Sequence, residues 1–217
     1  MIIQNAQTNM IGQQIRTWNV LDRTVLQAFE GIEREQFVPE PYLAFAYADM
    51  VIPIREGQNM LEPKVIARMI DALELAPDHT VLEVGTGTGY SAAVLSRLSQ
   101  QVISLEINSE LVEASRTNLA KANIDNVEII ETNCFDYCSH DSNNAGKFDR
   151  TLITGSVPEL SPVFLPMVNE TGRIVGIQGH TPTMQAVICY ADGTIKSLFE
   201  TEASRLDQVQ ESVHFAF

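Results

Sequence analysis

The sequence predicts an α/β fold: a mainly parallel sheet that ends in an antiparallel hairpin, preceded by an N-terminal helical layer. Three observations support this. The run Thr80-Val81-Leu82-Glu83-Val84 reads as a buried strand and breaks into three glycines at alternate positions, Gly85, Gly87 and Gly89, before a small-residue helix from about Tyr90 to Leu98. Glycines serve there because the chain must turn sharply and a ligand must approach bare backbone. From Thr80 onward, apolar runs of strand length alternate with segments of helical period. Near the end, Tyr190-Ala191-Asp192-Gly193-Thr194 is a hairpin signal between two alternating runs.

The elements follow in order. The first half-dozen residues are expected to fray, and helical signals run from about Met10 to Trp18. Asp22 is an N-cap for a helix presenting Val25, Leu26, Phe29 and Ile32 on one face. Phe37-Val38-Pro39 ends that segment and Pro41 opens another short one. Met50 to Ile54 has strand composition, with Pro53 confining it to an edge or irregular position. Pro63 suits the first turn of a helix through Val65, Ile66, Met69, Ile70 and Leu73. After the glycine loop, Val102 to Leu105 is a strand, and Ser109 with Glu110 and Glu113 starts a helix ending near Ala122. Val127 to Ile130, Arg150 to Thr154 and Arg173 to Ile177 are the next strands, with a helix or helical turn between Pro158 and Val168. Phe215-Ala216-Phe217 is apolar enough for a last strand. No repeat or linker calls for a second domain, so 1–217 reads as one domain: a layer over 1–75 and an α/β core over 76–217.

Composition narrows the function. The formal net charge of −14 argues against general nucleic-acid binding. No apolar run is long enough to cross a membrane, and Met1-Ile2-Ile3-Gln4-Asn5 lacks the layout of a signal peptide. The three cysteines, Cys134, Cys138 and Cys189, cannot all pair within one chain, which points to a reducing, cytoplasmic setting. Cys134, Cys138 and His140 raise a metal question, but no second ligand pair accompanies them, and no metal is expected.

The loop chemistry indicates the ligand. Ligand should lie at the carboxyl ends of the strands, and Glu106, ending the strand after the loop, is where an acid accepts from both hydroxyls of a ribose. A dinucleotide fingerprint would place its third glycine one residue later, where Tyr90 stands. Glu83 directly before the loop would repel a pyrophosphate and suits a ligand with a cationic end. S-adenosyl-L-methionine has an ammonium, a sulfonium and a ribose, and no phosphate. The order strand, acid, loop, helix, strand, acid therefore resembles the first motif of the class I, Rossmann-like S-adenosylmethionine-dependent methyltransferases. Asn133, after the third strand, is placed either to meet the adenine or to serve as a turn residue. Transfer from a sulfonium obliges no general base, so the absence of a Ser/His/Asp or paired-acid constellation is uninformative, and the histidines (His79, His140, His180 and His214) are scattered.

Beyond the loop, the chain resembles the protein-L-isoaspartate (D-aspartate) O-methyltransferases over nearly its whole length. The likeness rests on Phe37-Val38-Pro39, Ala46-Tyr47-Ala48-Asp49, Ile52-Pro53-Ile54, Gly57-Gln58, Pro63, Val81 to Tyr90, Glu106, Phe148-Asp149, Gly172-Arg173 and Gln185. It implies a cofactor site of Glu83, Gly85, Thr86, Gly87, Gly89, Glu106, Asn133 and Cys134. It also implies protein or peptide substrates whose isomerised aspartyl carboxylate is methylated, so that it can pass through a succinimide and be repaired.

Two departures stand out. The family pattern T-I-S-[QA]-P becomes Asn59-Met60-Leu61-Glu62-Pro63, putting Leu61 on the serine expected near the reacting carboxylate. Its G-D-G becomes Thr132-Asn133-Cys134. Met60, Leu61, Pro63 and Lys64 form the expected substrate side. A carboxylate is already an anionic nucleophile, so losing the hydroxyl need not abolish transfer, which depends on in-line placement and exclusion of water. Lys64 and Arg55 are candidates to supply a counter-charge. A methyltransferase of the same fold with another acceptor, or a non-catalytic S-adenosylmethionine-binding protein, are the alternatives.

Overall fold

The computed structural model describes residues 2–140, 145–160 and 163–208. The N-terminal layer begins with helix α1 (Ile2–Asn9), continuing as a π-helical turn, Met10–Ile15, and a 3-10 turn, Arg16–Trp18. The first residues are thus helical, where fraying was expected. Gln7 anchors them: its Nε2 donates to the carbonyl oxygens of Phe29 at 2.9 Å and Ile32 at 3.0 Å, at the end of helix α2 (Arg23–Glu30). Asp22 caps α2 as its residue type predicts, accepting from the backbone N–H of Thr24 at 2.7 Å and Val25 at 3.3 Å. Two 3-10 turns, Arg34–Phe37 and Glu40–Phe45, lead to a hairpin of β1 (Ile52–Arg55) and β2 (Gln58–Met60). The sequence showed only the first of these strands. Pro53 sits in a two-stranded ribbon where its missing N–H breaks no central ladder. Helix α3 (Pro63–Ala72) opens with proline in its first turn and buries Val65, Ile66, Met69 and Ile70.

The core sheet is built from β3 (Thr80–Val84), β4 (Gln101–Glu106), β5 (Val127–Glu131), β6 (Phe148–Val157), β7 (Val168–His180), β8 (Thr183–Tyr190) and β9 (Ile195–Glu200). Helices α4 (Tyr90–Ser96), α5 (Ser109–Lys121) and α6 (Cys134–His140) follow β3, β4 and β5. The spatial order is β5-β4-β3-β6-β7-β8-β9, parallel as far as β7 and antiparallel for β8 and β9. Between β6 and β7 the described residues contain a 3-10 turn, Leu165–Met167, in place of a full helix. The N-cap of α5 is Asn108, one residue before the serine expected, and its side chain accepts from Leu111 N–H at 3.0 Å. Phe215-Ala216-Phe217 and His214 lie outside the described residues.

Both faces of the central parallel strands β3, β4 and β6 are largely buried, as continuous apolar runs require, while β5 at the edge exposes Glu128 and Glu131. Val81 and Val102 pack under the N-terminal layer with Ile66, Tyr90 and Val94, while Leu82, Val84, Ile103 and Leu105 face the opposite cluster with Phe148, Ile153 and Phe164. Strand alternation therefore sends Glu83 to the same face as Val81. After β9 the chain returns across the sheet: Ser156 N–H donates to Ser204 O at 2.8 Å, and Leu206 N–H donates to Ser156 O at 3.0 Å. This tail had no signal in the sequence.

Candidate active site

The glycine loop is held from three sides. Gly85 and Thr86 donate their N–H groups to Leu105 O at 2.9 and 3.3 Å, and Gly87 donates to Glu106 Oε2 at 2.9 Å. From the far strand, Thr154 Oγ1 donates to Gly85 O at 2.6 Å. Gly85, Gly87 and Gly89 have φ of +89°, +56° and +91°, a region costly for any side chain. A Cβ on Gly85 would stand 2.6 Å from Thr154 Oγ1.

Below the loop, the parallel register sets Glu83 beside Ser104. Ser104 Oγ donates a short hydrogen bond to Glu83 Oε2 and lies 2.5 Å from Thr86 Oγ1. Glu83 has no exposed surface, and its Oε1 is buried without a hydrogen-bond partner. Burial pushes its carboxyl up to about 7, opposed by the Ser104 and Ser91 hydroxyls and reinforced by the nearby Glu106 charge.

Two clefts flank the loop. The first is lined by Gly85, Gly87, Glu106, Asn133 and Cys134, by apolar Ile54, Leu105, Ile107 and Leu111, and by Ser204, Leu206 and Asp207 of the tail. The second is lined by Gly85, Thr86, Gly87 and Thr88, by Met60 and Leu61, and by Arg34, Ile66 and Tyr90. They meet along Ile54, Asn59, Gly85, Gly87 and Thr154. Arg55 in the first cleft is paired with Asp207, so that cleft gains no free cation from it.

The sequence-predicted residues divide accordingly. Gly85, Gly87, Glu106, Asn133 and Cys134 converge on the first cleft, and Thr86, Met60 and Leu61 on the second. Glu83 lines neither, because strand alternation turns its side chain beneath the loop; it reaches the loop through Ser104, whose Oγ lies 2.5 Å from Thr86 Oγ1. Gly89 also lines neither: it precedes α4, and a Cβ there would meet Ser115 Cβ at 3.2 Å, so it serves helix packing. Pro63 and Lys64 stand outside both clefts, and Lys64 is tied to Asp49 at 2.6 Å with its ammonium 4.6 Å from the centre of the Trp18 ring. Asn133 uses both ends of its amide: Oδ1 accepts from Phe135 N–H at 2.8 Å at the start of α6, and Nδ2 donates to Gln208 Oε1 at 2.8 Å. The turn reading of Asn133 is thus realised, within the first cleft. Cys134 is buried and its thiol is pushed up to about 12 by burial. All three cysteines are free, and no metal-binding cluster occurs among the described residues.

Thr154, Arg34 and the tail were missed. Thr154 ends a run that reads only as a strand, and Arg34 lies outside every apolar period.

The first cleft fits S-adenosyl-L-methionine on its own chemistry. Its apolar walls suit an adenine, the Glu106 carboxylate suits ribose hydroxyls, and bare Gly85 and Gly87 backbone admits close approach. The Glu106 carboxylate disfavours phosphate and favours cationic groups, while Asp207 is already paired with Arg55.

Comparison with known proteins agrees with this geometry. No helix among the described residues is long and apolar enough to cross a membrane. The chain superposes on a protein-L-isoaspartate O-methyltransferase of Plasmodium falciparum, solved with S-adenosyl-L-homocysteine, with a TM-score of 0.81, covering 95% of this chain and 98% of that one at 20% identity. A relative of Koribacter versatilis named protein-L-isoaspartate O-methyltransferase is 38% identical over 178 residues, 82% of this chain and 78% of the relative. A second, protein-L-isoaspartate O-methyltransferase 2 of Rhodopseudomonas palustris (strain HaA2), is 37% identical over 174 residues, 80% of this chain and 78% of the relative. The family model for protein-L-isoaspartate(D-aspartate) O-methyltransferase matches residues 5–197, from the N-terminal layer through the glycine loop to the last strand of the sheet. A match of that extent, covering the second cleft and all of the first except its tail residues Ser204, Leu206 and Asp207, makes this chain a member of the protein-L-isoaspartate(D-aspartate) O-methyltransferase family.

Proposed function

We propose that this chain transfers a methyl group from S-adenosyl-L-methionine to the free carboxylate of isomerised aspartyl residues in proteins and peptides. The observation that carries the reading is the pair of clefts meeting at Gly85, Gly87 and Thr154, one suited to the cofactor and one to the acceptor. Family membership and the relatives' names support the same substrate class. The shortage of cysteine partners supports a cytoplasmic placement.

When bound, S-adenosyl-L-methionine would supply an electrophilic methyl group on a sulfonium, and the acceptor carboxylate is already anionic. No proton moves in the transfer, so no general base is needed. The residues of the chain therefore position and exclude. Glu106 would hold the ribose and, through Gly87, the loop that borders both clefts. Thr154 fixes the carbonyl of Gly85. Ile54, Met60, Leu61 and Ile66 give the acceptor cleft apolar walls that keep water from competing.

The test is transfer of labelled methyl to an isoaspartyl peptide against its aspartyl twin. Labelling of the isoaspartyl peptide alone is expected. Labelling of neither, with cofactor binding confirmed, would sink the repair reading and favour another acceptor, one matched to the apolar Leu61.

A further inference from the structure

The acceptor cleft contains a cation with no role so far. Arg34, in the 3-10 turn Arg34–Phe37, is 1% exposed and lines that cleft beside Met60, Leu61 and Tyr90. Its guanidinium lies 4.5 Å from the centre of the Tyr90 ring, and its Nη2 donates to Leu61 O at 2.8 Å. Its Nε is buried with no hydrogen-bond partner. A buried guanidinium with an idle donor is costly unless an anion completes it, and its planar fork matches a carboxylate.

Lys64 and Arg55, basic groups on neighbouring elements, are committed elsewhere. Lys64 is paired with Asp49 outside the cleft, and Arg55 with Asp207 in the cofactor cleft. Around Arg34 stand Glu62, Tyr47 and Tyr90; the Tyr90 phenol lies near enough to help hold the guanidinium, and Glu62 Oε2 is buried without a hydrogen-bond partner. Among the described residues no ion pair joins Arg34 to Glu62. Burial draws Arg34 below its ordinary value, while Tyr90 and Glu62 oppose that. A carboxylate entering the cleft would find a held guanidinium next to an apolar Leu61 that offers no donor of its own.

We propose that Arg34 is a specificity-determining residue that binds the acceptor's carboxylate in the second cleft, with Glu62 offsetting part of its charge. The inference rests on the methyltransferase reading above and names the group by which that site tells a carboxylate from its neutral counterpart.

The test uses protein saturated with S-adenosyl-L-homocysteine and two peptides, identical except that the isoaspartyl α-carboxylate of one is a carboxamide in the other. Calorimetry should show wild type preferring the carboxylate by about tenfold or more, the scale of a hydrogen bond to a charged group. Arg34→Gln should bring the two peptides to near parity, with Arg34→Lys retaining part of the preference. Glu62→Gln should enlarge the preference several-fold. Equal weakening of both peptides in Arg34→Gln would mark a merely structural residue and overturn the proposal, as would an undiminished preference. Should Arg34→Gln fail to fold, Glu62→Gln decides: an unchanged or smaller preference overturns it. A wild type without any preference counts instead against the isoaspartyl reading itself.

Discussion

Glu106 accepts the backbone N–H of Gly87 at 2.9 Å through one carboxylate oxygen, while the other accepts from Ile107 and Asn108 at 3.0 Å each. The acid expected to bind the ribose therefore also secures the loop. A carboxylate offers about four acceptor sites, so with three in use a ribose can take one without displacing the Gly87 bond.

Glu106→Ala should weaken cofactor binding by about 1–3 kcal/mol, the scale for losing hydrogen bonds to a charged group. Calorimetry with S-adenosyl-L-homocysteine measures it. Unchanged affinity would place the ribose elsewhere.

Gly87→Val should abolish cofactor binding with a smaller effect on folding. At φ of +56° a β-branched residue is strained, and its side chain would enter the space shared by the two clefts. The nearest obstacle is the end of the Ile54 side chain at 3.2 Å, which can shift, so the protein should still fold. Retained binding in the purified variant would remove the basis for the cofactor site.

Glu83 predicts a pH signature. Its folded-state carboxyl is raised from 4.5 to about 7, so the folded protein keeps this proton longer than the unfolded chain. Its contribution to stability is present below the unfolded value and is lost as pH rises through about 7. The loss is about 3 kcal/mol, at 1.36 kcal/mol per unit. Glu83→Gln should therefore gain in Tm relative to wild type between pH 5 and pH 8. A Tm difference that does not vary with pH would refute the buried, protonatable carboxyl.

Leu61→Ser should lower stability by about 2–4 kcal/mol, the range for emptying a buried leucine site. Activity towards isoaspartyl peptides should rise nonetheless, because the main chain at 61 is held by Arg34 and would present the new hydroxyl beside the cleft. Thermal melts and methyl-transfer rates check both. No gain in activity would show that the divergence extends beyond this residue.

Site residues were legible where one residue type in one local pattern has one use. Gly85 and Gly87 after β3 and the acid ending β4 belong to that class, and all three reach the first cleft. Glu83 and Gly89 were legible as present but not as placed: strand alternation turned the first beneath the loop, and packing against Ser115 claimed the second. Lys64 is a counter-charge candidate by its position at the helix start, but its side chain turns toward Asp49 and Trp18. Arg34 and Leu61 are 27 positions apart, and no local pattern announces their contact.

By itself the sequence determined the strand–loop–helix unit, the mainly parallel sheet with its antiparallel end and the chemistry of the cofactor. These follow from periodicity, turn residues and side-chain type, which act over a few residues. Only the tertiary structure decided which side chains line the second cleft, that Asn133 caps α6 while bonding Gln208, and that Ser204, Leu206 and Asp207 line the first cleft. Those outcomes depend on which distant surfaces pack together: buried polar groups must find partners in three dimensions, and the partner's position along the chain leaves no local trace.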